Sequence, residues 1–160
     1  METINEHIKR YSDWIVKCFA IENLHLDYSI DSLKCLDKFL ADNVTNSIPK
    51  INGILYKGHK EILYGIGIYL GETLKMSLPD SQWLTKKENG VDQLTGEFIL
   101  PNGTKVFPLG RVIRRFENGE EDSIYPYGLI LVNEVSKDEY WDDANSKKLE
   151  NKRTTWWKFW

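Results

Sequence analysis

The stretch YGIGIYLGET at 64–73 sets Gly65, Gly67 and Gly71 in an otherwise apolar run. Closely spaced glycines do chemistry when they line a turn, because backbone N–H groups can then approach a phosphate with no Cβ in the way. Here the spacing is GxGxxxG, not the GxGxxG of a dinucleotide loop, and the preceding GHKEILY reads as helix rather than strand. No Lys-Ser or Lys-Thr follows, which removes a P-loop. The remaining use is mechanical. Gly67 and Gly71 are four apart and share a helical face, where a neighbouring backbone can approach. Such an approach offsets the roughly 1 kcal/mol that each glycine costs a helix relative to alanine.

Glu72 closes this run. It is expected to cap, to pair with Arg111, Arg114 or Arg115, or to serve as a binding carboxylate. Paired with Asp27, and with Tyr69 beside it, it defines the alternative reading of an enzyme or small-ligand site. The three histidines, His7, His25 and His59, lack HxH or HxxxH spacing, and Cys18 and Cys35 form no paired motif, so no metal site is expected. Both cysteines are read as reduced thiols. No GxSxG marks a nucleophile. Neither a catalytic group nor a cofactor is assigned.

RVIRRF places Arg111, Arg114 and Arg115 at i, i+3 and i+4 on one helical face. Glu117, Glu120, Glu121 and Asp122 follow at once and cancel that field, so a solvated, self-paired surface is expected rather than a nucleic-acid site. Glu120, Glu121 and Asp122 join Glu72 as candidate groups for a basic protein partner. The terminal TTWWKFW contributes Trp156, Trp157 and Trp160 to the same candidate set, since tryptophan is enriched where proteins meet. The same tail could instead fold back on the domain or drive self-association into a homo-oligomer. A lipid contact through Lys158 is disfavoured for want of a basic amphipathic helix.

The elements that must position these groups divide the chain in two. Ile4, Ile8, Tyr11, Ile15 and Cys18 or Phe19 recur at helical spacing with Trp14 widening the stripe, and Glu6, Lys9, Arg10, Asp13 and Lys17 fill the other face. A second helix is predicted after Ser29, its N-cap, with Ile30, Leu33, Leu36, Phe39 and Leu40 inward and Asp42-Asn43 as its stop. Asp27, Asp31 and Asp37 are assigned to capping and solvation. Pro49 suits the first turn of a helix starting near Ile48. A third helix is firm over 59–77 and closed by Pro79. Beyond it the pattern turns to β. EFILPNGTKVF reads as a hairpin around Asn102-Gly103, GLILVNEV (128–135) as a strand and QWLTKK (82–87) as a weaker one. Between them PLGRVIRRFENGEEDS reads as a short helix with Val112, Ile113 and Phe116 inward, ended by Asn118-Gly119. Residues 137–150 are predicted helical. Helices first and strands later imply α+β rather than a parallel α/β sheet.

The 160 residues suit one domain, a core over 1–135 with a charged and aromatic tail over 136–160. Hydrophobic residues at 41% and charged residues at 28% fit a globular chain, and a net charge of −3 provides no general attraction to nucleic acid or anionic lipid. No apolar signal core opens the sequence and no run approaches the roughly 20 apolar residues of a membrane span, so a cytoplasmic protein is expected.

LDYSIDSLKCLD (26–37), GIYLGE (67–72), Trp83 and the PLGRVIRRFENGEEDS segment together resemble a group of small uncharacterised bacterial proteins. These share an LD-x-S-x-x-SL-x-x-LD segment, a G-x-YLGE helix and a related P…NG..DS segment. The matching positions include Asp27, Ser29, Ser32, Leu33, Leu36, Asp37, Gly67, Tyr69, Leu70, Gly71, Glu72 and Trp83, and the resemblance spans about residues 24–127. It implies a setting of toxin–immunity neighbourhoods. The expectation is therefore an α+β domain with two or three helices packed on a small antiparallel sheet. Its expected role is non-catalytic: an immunity-type protein whose mildly acidic surface meets a basic toxin.

Overall fold

A computed structural model describes residues 1–138. Its order is helix α1 (Ile4–Ile21), a 3-10 turn (Ile30–Ser32), α2 (Leu33–Asn43), β1 (Val44–Thr45), β2 (Ile48–Pro49), α3 (Ile54–Ser77), β3 (Gln82–Glu88), β4 (Val91–Ile99), β5 (Lys105–Val106), α4 (Pro108–Asn118) and a second 3-10 turn (Gly119–Asp122). A last helix, α5, runs over 124–138. The architecture is the expected α+β, with helices dominant and two small antiparallel sheets.

Several helix starts show local chemistry that provides for the free N–H groups, whereas α3 begins at Gly53 without a side-chain cap. Thr3 and Glu6 form a reciprocal capping box at the head of α1. Ser29 Oγ accepts the Ser32 N–H at the head of the turn that leads into α2. Pro108 occupies the first turn of α4. Gly119 then ends α4 at φ 78°, a conformation that favours glycine.

α3 is the spine. Ile66, Ile68, Tyr69, Leu70 and Leu74 have no solvent exposure, so this helix is apolar all round because it is covered all round. α1 and α2 bring Ile15, Phe19, Leu36, Phe39 and Leu40 to the common core, and α4 brings Val112. The sheet β3-β4-β5 caps it with Trp83, Phe98 and Val106. β3 and β4 join through Asn89-Gly90, both at positive φ, a two-residue hairpin turn with Glu88 opposite Val91. A register shift falls between Trp83 and Thr85, opposite the stretch that holds Gly96 at φ 83°. The distal half of this ribbon is largely exposed.

The structure alters four expectations. Pro49 lies in β2, not in a helix: Asn46 and Ser47, both at positive φ, turn β1 back on β2, and α3 starts only at Ile54. α3 begins with an extra turn bent at Gly58, whose φ/ψ of −153°/42° is not helical. The apolar run 128–135 belongs to α5 and not to a strand. A short apolar run read by itself does not separate buried strand from helix, and the positions α5 buries, Ile124, Gly128 and Val135, with Leu131 and Val132 half-buried, extend beyond that run. Ile113 points outward and is 47% exposed, while Val112 is buried.

Candidate functional site

The three glycines lie in the middle of α3, with helix on both sides, and each faces a different neighbour. A Cβ on Gly65 would strike Ile15 of α1, one on Gly67 would strike Leu109 of α4, and one on Gly71 would strike the Trp83 indole. The Leu109 Cα itself would stand 2.9 Å from a Gly67 Cβ, so two helix backbones press together there. The phosphate-loop reading has no structural basis here, since no strand precedes the glycines and no open turn lies at their level.

Glu72 does not meet the arginines. Its Oε1 accepts the Trp83 Nε1–H at 3.0 Å, which pins the indole over Gly71. The arginines are occupied elsewhere. Arg115 is 5% exposed and donates through Nε to Asp37 Oδ1 (3.1 Å) and through Nη2 to the Asp37 carbonyl (3.2 Å). The same carboxylate accepts the backbone N–H groups of Ile124 and Tyr125, each at 2.8 Å. Asp37 on α2 therefore serves as the anionic cap of α5, 87 residues away in sequence, and Arg115 neutralises it. Asp37 thus caps a helix as expected, but a distant one, and neither it nor Arg115 is the solvated group the sequence suggests. Arg111 pairs with Asp122 at 2.7 Å and lies over the Tyr127 ring, while Arg114 is exposed and only grazes Asp122. Asp122 thus belongs to a surface cluster with Arg111 and Asn118.

Tyr69 is fully buried. Its hydroxyl accepts the Tyr28 N–H at 2.8 Å and shares a 2.7 Å hydrogen bond with Ser32 Oγ, and burial raises its pKa. Asp27 is exposed and accepts from both the N–H and the hydroxyl of Ser29, which hold its carboxyl below the usual range. Asp27, Tyr69 and Glu72 thus have separate partners. The groove that Glu72 lines includes neither of the other two. That groove, of about 380 Å³, separates α1 from the C-terminal end of α3 and is walled by Ile8, Ser12, Tyr28, Glu72, Lys75 and Met76. A second groove, of about 330 Å³, carries His7 and Tyr64, whose Nε2 and hydroxyl are 2.8 Å apart.

Glu117, Glu120 and Glu121 form an exposed corner between α4 and α5 and have no ion pair among the described residues. Ser47 donates its hydroxyl to the Glu117 carbonyl, which fastens the β1–β2 turn to this corner. Ile48, 66% exposed, follows directly, and Ile113 precedes Glu117 by one helical turn. Cys18 and Cys35 are free thiols. No group of three or more metal-ligating side chains occurs among the described residues, and no described helix is long and apolar enough to cross a membrane. Trp141, Trp156, Trp157 and Trp160 lie outside the described residues.

Several of the positions singled out in the sequence contact one another: Asp27 with Ser29, Ser32 with Tyr69, Gly71 and Glu72 with Trp83, Asp37 with Arg115. Comparison of the chain with protein-family models, with curated proteins and with solved structures found no match.

Proposed function

We propose that this chain is a non-catalytic cytoplasmic domain of the immunity type, which neutralises a basic bacterial toxin by covering its working surface. One observation carries the reading. The acidic corner at Glu117, Glu120 and Glu121 is exposed and unpaired among the described residues, and Ile48 and Ile113 flank it. Apolar groups beside a cluster of unpaired carboxylates, with the exposed Arg114 at its edge, suit a protein partner of mainly opposite charge, which the charge steers and the apolar groups hold. Several other polar groups that the sequence singled out are engaged inside the fold: Asp37 and Arg115 with each other, and Tyr69 with Ser32.

Affinity purification of the tagged chain from its native cells tests this. A basic protein should co-purify at low salt. Reversing all three charges (Glu117→Lys, Glu120→Lys, Glu121→Lys) should slow association by about tenfold or more, the scale of electrostatic steering. Recovery of no stable partner, or a partner indifferent to the triple reversal, rejects the proposal.

A further inference from the structure

The groove between α1 and the end of α3 is built around an unusual residue. Tyr28 has φ 60°, in the left-handed region that a bulky side chain rarely adopts. Three interactions hold it there. Its N–H is taken by the buried Tyr69 hydroxyl, its ring lies against the Tyr69 ring at 4.8 Å, and its own hydroxyl donates to Ser12 Oγ at 3.1 Å. A strained residue persists only where its surroundings over-determine it, and such residues cluster at ligand sites. Here the strain swings a phenol across α1 to form the groove wall.

The charges on the remaining walls are sorted. On α1, Lys9 and Asp13 pair with each other. On α3, Glu72 and Lys75 are one helical turn apart and do not pair. Glu72 is oriented by Trp83 through Oε1, which leaves Oε2 without a hydrogen-bond partner among the described residues. Lys75 is exposed and has no ion pair among them. Met76, 70% exposed, and the edge of the nearly buried Ile8 supply an apolar surface between the two rims. One carboxylate with a free oxygen, one lysine without an ion pair and an apolar surface fit a small molecule that itself carries an ammonium, a carboxylate and an apolar side chain. A volume of about 380 Å³ is at the low end of small-ligand clefts and accommodates such a molecule.

We propose that this groove binds a zwitterionic apolar amino acid or short peptide, with its ammonium at Glu72, its carboxylate at Lys75 and its side chain on Ile8, Met76 and the Tyr28 ring. The proposal does not rest on the protein-binding reading. Titration of the full-length protein with L-leucine and L-phenylalanine, followed by amide and methyl NMR shifts, tests it directly. Shifts should concentrate at Ile8, Ser12, Tyr28 and Met76. N-acetyl-leucine and leucine amide, each with one charge removed, should bind about tenfold more weakly or worse. Glycyl-leucine separates the two sources: tighter binding than leucine assigns the groove to peptide ends, weaker binding to free amino acids. Lys75→Met, at an exposed and unpaired position, and Glu72→Gln, which keeps an acceptor for Trp83, should each reproduce the loss. No localised shifts with any zwitterion at millimolar concentration overturns the proposal. So does equal binding of the singly charged analogues.

Discussion

At the scale of single residues, Asp37 is the most consequential side chain. Its carboxylate is shared by one guanidinium and two helix N–H groups, and Arg115 is buried with no other counter-charge in contact. Removing one partner of a buried pair leaves an uncompensated charge, so Asp37→Ala should lower unfolding free energy by about 3–5 kcal/mol, read from urea denaturation. Asp37→Ala with Arg115→Met should recover part of that loss. The glycines give a second test with opposed signs. Helix propensity alone would make Gly71→Ala stabilising by roughly 1 kcal/mol. The Trp83 ring and the Leu109 backbone stand where the new methyl groups would go, so Gly71→Ala and Gly67→Ala should instead destabilise by about 1–3 kcal/mol, measured the same way. The spacing of these glycines pointed to close packing. It did not reveal that three separate elements do the packing, because a glycine records that something approaches and not what.

At the scale of elements, legibility followed periodicity. α1, α2 and α3 were readable because their apolar residues recur at three and four over several turns. The sheet was half readable. Asn102-Gly103 announces the turn between β4 and β5, but Asn89-Gly90, an equally clear hairpin signal, lies outside the predicted hairpin, and with it the first half of β4. TINE at 3–6 likewise spelled out the capping box of α1. α5 was not readable in the same way. Its run GLILVNEV is short and apolar, and its cap is provided from α2, which no local window contains. The caps also set a pH dependence. The Thr3 N–H and hydroxyl lower the Glu6 pKa, and Ser29 lowers that of Asp27. A carboxyl more acidic when folded stabilises the fold above its unfolded pKa, and that stabilisation is lost as pH falls through the folded value. Stability should therefore decline as the pH drops below about 4, and Asp27→Asn should flatten the decline in an acid denaturation series.

At the scale of the whole molecule, the candidate site was the least legible part. The acidic run was visible in sequence, but its division was not: Asp122 is held by Arg111 and Asn118, and Glu117, Glu120 and Glu121 are exposed and unpaired among the described residues. Nor could sequence show that the β1–β2 turn, seventy residues earlier, is fastened beside them by Ser47. If this corner meets a basic partner, association should slow steeply as salt rises through the range where the Debye length shrinks from about 10 Å to 3 Å, while dissociation changes little. Stopped-flow mixing at several salt concentrations with the co-purified partner reads both rates.

The Asp37 junction also bears on how the chain matures on the ribosome. The helix bearing this acid emerges long before the arginine that neutralises it or the backbone amides that it receives. Until those later segments leave the exit tunnel, the nascent chain has reason to keep that acid in water and its helix loosely docked. Completion of the core thus waits on the arrival of the distal third, and premature termination before it would leave a product that quality-control proteases can recognise.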